Sequence, residues 1–322
     1  MEYRQIGKSG LKVSEIGLGC ASATFVGKAD EETSVNIIHH ALDLGVNFID
    51  TAETYAEGRS EILVGKAVKE KRSQVIIATK FGQTRSVGPS EQPGSRSNVL
   101  KAVEGSLKRL TTDYIDLYML HRPDPNTPIE ETLRALDDLV RVGKVRYIGS
   151  SNFAAWQVCE AAWVSRTHNL ESFICSESEY NLLDRNIERE LIPCCQALDI
   201  GIIPDFPLAK GFLTGKYQRD QEMPRDARFT SMPQFADAKY KDLRRYDNML
   251  SDTNFDKLTK LETFAEERGH RVGELAIAWL LFYPWLSSVI PGATSAEQVK
   301  LNVAATSWKL TTEDIDLLDE IV

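Results

Sequence analysis

Lys80 closes the run Gln74-Val75-Ile76-Ile77-Ala78-Thr79, and a lysine at the end of a buried strand must reach water or find a partner, because Lys is almost never buried unpaired. Asp50, directly after Val46-Asn47-Phe48-Ile49, is the candidate partner. Tyr55 follows in a loop five residues beyond Asp50, and His121 follows Leu117-Tyr118-Met119-Leu120. Singly, each has an ordinary structural explanation: a helix N-cap, a half-buried loop anchor, a core histidine. Gathered at the ends of successive strands they favour function, since a carboxylate, a phenol, an ammonium and an imidazole are groups that move protons.

Those residues need a scaffold whose strand ends converge. Short β-branched runs at 16–18, 47–49, 75–79, 115–119, 145–148, 173–175, 201–203 and 288–290 alternate with segments of helical apolar period at 31–44, 60–71, 96–110, 129–142, 154–166, 187–198, 255–268 and 296–304. Eight strands alternating with eight helices predict one closed α/β barrel, a single (β/α)8 domain over 1–322. Runs such as Val-Ile-Ile-Ala-Thr are apolar on both faces, as burial between barrel interior and outer helices requires. Asp30 is placed to cap the first helix and Gly45 to end it. Residues 3–13 read as a hairpin closing the barrel bottom. Loops 82–98 and 216–253 would lie over the C-terminal mouth, and helices at 272–282 and 312–321 are accessory.

Composition narrows the class. Lys plus Arg number 38 against 47 Asp plus Glu, a net charge of −9, which argues against binding nucleic acid. The most apolar stretch, 275–286, is interrupted by Pro284 and falls short of the roughly 20 residues a membrane span needs, so it is expected to be a core helix and no membrane partner is expected. Five cysteines with no CxxC spacing, and an N-terminus without an apolar signal core, predict a reducing, cytoplasmic setting. No metal is expected, since His39-His40 has no ligand at useful spacing. Cys20 is read as a small core hydrophobe rather than a redox thiol.

A resemblance then becomes specific. Gly17-Leu18-Gly19, Asp50-Thr51-Ala52-Glu53-Thr54-Tyr55, Gly58-Arg59-Ser60-Glu61, Thr79-Lys80-Phe81, His121-Arg122-Pro123-Asp124, Gly149-Ser150-Ser151-Asn152-Phe153, Tyr180-Asn181-Leu182-Leu183, Pro207-Leu208-Ala209 and Ile290-Pro291-Gly292-Ala293 together resemble the aldo-keto reductases over nearly the whole chain. The branch resembled most includes bacterial reductases and the β subunits of voltage-gated potassium channels, through the run Arg122 to Pro128. The resemblance implies a tetrad in which Tyr55 is the general acid, Lys80 lowers its pKa, Asp50 holds Lys80 and His121 orients a carbonyl. A cation about 4 Å from a phenol at an effective dielectric of about 20 contributes roughly 4 kcal/mol, enough to lower the phenol substantially before Asp50 offsets part of it. The implied reaction is reversible carbonyl–alcohol interconversion.

No Rossmann or phosphate-loop fingerprint is present: Gly17-Leu18-Gly19-Cys20-Ala21-Ser22 has Ser in the third glycine's place, and Gly7-Lys8-Ser9 lacks the upstream glycine. The resemblance implies instead a nicotinamide cofactor laid across the mouth. Ser151 and Asn152 would hold its carboxamide, with Gly19 and Asp50 nearby. Pro207 and Leu208 would line the ribose and diphosphate path, Lys216 would meet phosphate, and Gly292, Thr294, Gln298 and Asn302 would contact the adenosine end. NADP is the expected cofactor on the strength of Lys216 and Arg228, with NAD left open by Thr294, which stands where a cation is common. Glu177 replaces a carboxamide-binding Gln, Asp205 a stacking aromatic residue and Phe206 a Ser, while Leu301 replaces an acidic residue near the adenine. An ionised Glu177 and Asp205 beside the ring would bias the protein toward alcohol oxidation, whereas a protonated Glu177 would mimic the Gln. The substrate expected is a small aldehyde, ketone or sugar-like carbonyl or its alcohol, and a homo-oligomer is compatible with the sequence. The alternative is a cofactor-sensing regulatory or interaction subunit with little turnover. His121 argues against it, because the channel branch tends to carry Asn there.

Overall fold

In the computed structural model, residues 1–21, 30–88, 91–219, 221–222, 224 and 249–322 are described. Strands β1 (Tyr3–Gln5) and β2 (Lys12–Ser14) pair antiparallel, with Arg4 opposite Val13. A parallel sheet follows in strict sequence order: β3 (Leu18–Gly19), β4 (Phe48–Asp50), β5 (Ile76–Phe81), β6 (Ile115–Leu120), β7 (Val145–Ser151), β8 (Cys175–Glu179) and β9 (Gly201–Asp205). The segment expected as the eighth barrel strand closes the ring by bridges rather than a continuous ladder. Leu286 pairs with Ile202 on one side, while Val289 pairs with Ile16 and Gly292 with Gly19 on the other. The result is the (β/α)8 barrel that the alternating sequence predicted.

The two-residue side-chain period sorts every strand into two files. Outward residues such as Ile49, Ile77, Phe81, Tyr118 and Ile202 belong to the large core between sheet and helices. Inward residues Phe48, Ala78, Leu117, Met119, Cys175, Ile203 and Ile290 form a second cluster together with Ile6 and Val13 of the hairpin. The hairpin therefore plugs the barrel floor, as expected. One step further toward the C-terminal end, the inward files of β4, β5, β8 and β9 reach Asp50, Lys80, Glu177 and Asp205, and the file of β6 reaches His121 just past its end. The apolar floor thus carries an ionisable roof.

The outer layer comprises α1 (Glu31–Asp43), α2 (Arg59–Val68), α3 (Arg96–Leu110), α4 (Ile129–Arg141), α5 (Ala155–His168), α6 (Leu191–Ala197), α7 (Asp252–Glu266), α8 (Val272–Phe282), α9 (Ala296–Ala304) and α10 (Thr312–Ile321). Asp30 caps α1 by accepting from the Thr33 amide at 2.8 Å, and Gly45 sits at φ +87° after its end. The apolar stretch at 275–286 supplies the buried core of α8, with Trp279 fully enclosed. Cys20 is likewise buried, and that burial pushes its thiol well above its ordinary value. Among the described residues no helix is long and apolar enough to cross a membrane.

Besides the eighth strand, the strand placed at 16–18 is reduced to Leu18–Gly19, and two further elements differ. The strand placed at 173–175 begins at Cys175 and continues through Ser-Glu-Ser-Glu to Glu179, because the barrel interior admits polar side chains near the mouth. The helix placed at 187–198 divides into a 3₁₀ turn, Asn186–Glu188, and the shorter α6.

Helix α2 lies tightly over the end of α3, and Gly65 makes this approach work: a Cβ there would stand 2.4 Å from the Leu110 carbonyl oxygen. Backbone atoms cannot swing aside, so Gly65→Ala is expected to lower unfolding free energy by about 1–3 kcal/mol. Urea denaturation of the purified variant measures this directly, and an unchanged midpoint would contradict the packing argument.

Candidate active site

Lys80 is fully buried, and its Nζ donates to both oxygens of Asp50 at 2.6 Å. The same nitrogen lies 3.4 Å from the Tyr55 hydroxyl and 3.2 Å from Glu177 Oε1. Tyr55 opens a 3₁₀ turn, Tyr55–Gly58, whose next residues Ala56 and Glu57 are left-handed at φ 48° and 56°. Gly58 follows at φ +86°, where a side chain would run into Arg109. Arg109 is tied to the buried Glu61, which also accepts from Thr79 in β5 at 2.6 Å, so the turn carrying Tyr55 is braced against the strand carrying Lys80. His121 is 7% exposed, and its ring meets that of Tyr55 edge-on, 5.8 Å between centroids. The structure therefore brings Asp50, Tyr55, Lys80 and His121 into one side-chain cluster at the C-terminal ends of the strands.

The electrostatics differ from expectation at Tyr55. Burial is the largest influence and raises the phenol above its usual value; Lys80 pulls it down, but Asp50, Asp205 and Glu177 add to the rise. Burial, joined by three carboxyl groups against one ammonium, thus shifts the phenol upward rather than in the expected direction. Burial also lifts Asp50 to about 6 even with Lys80 opposing it. For Lys80 itself burial works against the charge, yet Asp50 and Glu177 prevail and hold the ammonium well above its ordinary value.

The residues expected at a cofactor divide into three groups. Around Lys80, Ser151 lies opposite Glu177 in the β7–β8 register, and Asn152, left-handed at φ 60°, donates from Nδ2 to Ser151 Oγ at 2.9 Å and to the His121 carbonyl at 3.1 Å. Asp205 Oδ1 accepts from the Phe206 amide at 2.8 Å, and the left-handed Phe206 has the Lys210 ammonium 4.4 Å from its ring centroid. Pro207 and Leu208 lead into left-handed Ala209, Lys210 and Gly211, with the Lys216 ammonium close beside Gly211. At the far end, Gln298 Oε1 accepts from the Thr294 amide at 2.8 Å and Ser295 caps α9, with Gly292 before them and Asn302 one turn along the helix. Gly19 has a packing reason of its own, since a Cβ there would stand 2.8 Å from the Ile290 carbonyl oxygen. Arg228 lies outside the described residues, as does most of the 216–253 loop.

This set fits a nicotinamide group on one specific ground. Glu177 is 2% exposed, and among the described residues its Oε2 has no hydrogen-bond partner. A buried polar atom without a partner is costly, and a carboxamide offers an N–H₂ donor to a carboxylate and a carbonyl acceptor to a carboxylic acid.

Two contributors escaped the sequence reading. Gln83 places its Nε2 3.0 Å from His121 Nε2, reaching the site from the loop after β5. Glu53 Oε1 accepts from the Gly82 amide at 3.0 Å and from Ser86 Oγ at 2.6 Å, which holds that loop over the mouth. Glu53 is part of the run that resembles the family, but nothing in its spacing points to a loop anchor.

Comparison with known proteins supports an oxidoreductase for this barrel. The chain belongs to the aldo/keto reductase family, whose model matches residues 15–322. It is 38% identical over 331 residues to a protein from Oryza sativa subsp. japonica named probable voltage-gated potassium channel subunit beta, covering 100% of this chain and 97% of that one. It is 37% identical over 318 residues to aldo-keto reductase YhdN of Bacillus subtilis, covering 98% and 91%. Versiconal hemiacetal acetate reductase of Aspergillus parasiticus is 35% identical over 344 residues, covering 99% and 96%.

Proposed function

We propose that the chain, acting as one barrel domain, interconverts a small aldehyde, ketone or sugar-like carbonyl and its alcohol with NADP(H). The observation that carries this reading is the ammonium of Lys80 lying between Asp50 and the Tyr55 hydroxyl, with the His121 ring edge-on to that of Tyr55. When bound, the nicotinamide cofactor supplies or accepts hydride at the substrate carbon. Ser151, Asn152 and Glu177 would hold its carboxamide, and Lys216 its phosphates.

The protein's own residues handle the proton. Tyr55, kept protonated by burial and its acidic surroundings, donates from its hydroxyl to the carbonyl oxygen as negative charge develops there. Lys80, with its charge fixed by Asp50, stabilises the phenolate that remains. His121 meets the substrate oxygen from the other side and sets its angle. In the oxidation direction the phenolate takes the proton back.

Asp50 must stay a carboxylate to hold Lys80. Its value is raised to about 6, so it is charged above that pH and takes a proton as pH falls through it. The pH profile of kcat/KM is therefore expected to fall on the acid side with an apparent midpoint near 6. A flat profile down to about pH 4.5 would remove Asp50 from the mechanism.

A second reading, a cofactor-sensing subunit, draws on the channel-subunit name of the plant relative. The purified protein mixed with NADPH and a panel of aldehydes and ketones separates the two. Loss of nicotinamide absorbance with some member supports the enzyme; cofactor binding without turnover across the panel supports the sensor.

A further inference from the structure

Glu177 does something in this cluster that the tetrad does not require. Its Oε1 reaches Lys80 at 3.2 Å, but Lys80 is already neutralised by both oxygens of Asp50 at 2.6 Å. Its Oε2 is buried and has no hydrogen-bond partner among the described residues. Among the described residues, the ionisable groups acting on it or on its neighbours are Asp50 from β4, Tyr55 from the following turn, Lys80 from β5, Asp205 from β9 and Cys175 from its own strand, and β7 sets the uncharged Ser151 opposite it. With every carboxyl ionised, one positive charge would face three negative ones. A buried carboxylate without a counter-charge gives way to its neutral form. Burial first, then Asp50 and Asp205, accordingly hold the Glu177 carboxyl well above its ordinary value against the pull of Lys80.

What the cluster lacks is a second cation against Oε2. A nicotinamide ring carries a positive charge when oxidised and none when reduced. We propose that Glu177 selects the cofactor's redox state, binding the oxidised ring as a carboxylate and the reduced ring as a carboxylic acid, so that uptake of NADP⁺ expels a proton and uptake of NADPH does not. This rests on the mouth being the nicotinamide site. By linkage, NADP⁺ affinity rises with pH by up to about tenfold per unit while Glu177 is protonated in the free protein, and NADPH affinity stays level by comparison. Alcohol oxidation is thereby favoured as pH rises.

Isothermal titration of the wild-type protein with each cofactor, in two buffers of different ionisation enthalpy at one pH, counts the protons exchanged. The 2′-phosphate is common to both cofactors and cancels in the difference. The expected result is a difference approaching about one proton per site, lost in Glu177→Gln along with the pH dependence of NADP⁺ affinity. Equal proton counts for the two cofactors in the wild-type protein overturn the proposal without reference to any variant. A full difference persisting in Glu177→Gln also overturns it, assigning the proton to Asp50 or Asp205. Binding with no proton difference leaves the reading of the mouth standing, whereas failure of both cofactors to bind overturns that reading together with the proposal.

Discussion

Tyr55→Phe is expected to reduce kcat/KM for carbonyl reduction by about 10²–10⁴-fold, the range that removal of a positioned general acid produces. The substitution deletes one oxygen, the atom 3.4 Å from Lys80 Nζ, and keeps the ring that meets His121 edge-on. Lys80 remains satisfied by Asp50 and Glu177, so no buried charge is stranded and the fold is expected to survive. Cofactor affinity should change little, because the residues proposed to hold the cofactor are on other strands. Steady-state kinetics with a substrate from the panel, alongside a cofactor titration, reads both quantities. A loss below about threefold would mean that some group other than the phenol supplies the proton, with His121 the nearest alternative.

How much of this was legible in the sequence follows from the period of a strand. Lys80, Asp50 and His121 could be read because each ends an apolar run, and the inward files containing Phe48, Ala78 and Met119 lead directly to them. Tyr55 lies in a turn, where no period applies; its place five residues beyond Asp50 put it near the mouth, and the resemblance supplied its role. Strand β8 was placed short for the converse reason: Ser176, Glu177, Ser178 and Glu179 look like loop until the barrel interior is known to be polar near its mouth. Gln83 and Glu53 were out of reach because their partners, His121 and the Gly82–Ser86 turn, are long-range contacts made by an irregular loop. The direction of the Tyr55 shift was also hidden. A single cation could be read from the chain, but the burial of the phenol and the balance of that cation against Asp50, Asp205 and Glu177 depend on strands meeting in space.

That balance makes Lys80 the residue whose loss should reach furthest. Lys80→Met keeps an unbranched apolar stem one atom shorter and removes the ammonium. Asp50, 3% exposed, is then a buried carboxylate with no counter-ion, and stripping one partner from a buried pair costs about 3–5 kcal/mol. Turnover should be abolished as well, since both the support for a Tyr55 phenolate and the clamp on Asp50 are gone. The stability defect has a pH signature that separates it from simple loss of packing. Asp50 already titrates at about 6 with Lys80 beside it, and without the ammonium its folded value climbs further above the unfolded one. A carboxyl raised in this way favours the folded state at low pH, and the penalty grows as pH rises through the folded value. Denaturant unfolding should therefore show a larger gap between variant and wild type at neutral pH than at pH near 5. Adding Asp50→Asn to Lys80→Met should recover much of the stability at neutral pH and none of the activity, because the buried charge disappears while the cation that serves Tyr55 is still missing. A gap independent of pH, or a double variant no more stable than Lys80→Met alone, would mean that the pair holds the barrel together by shape rather than by charge.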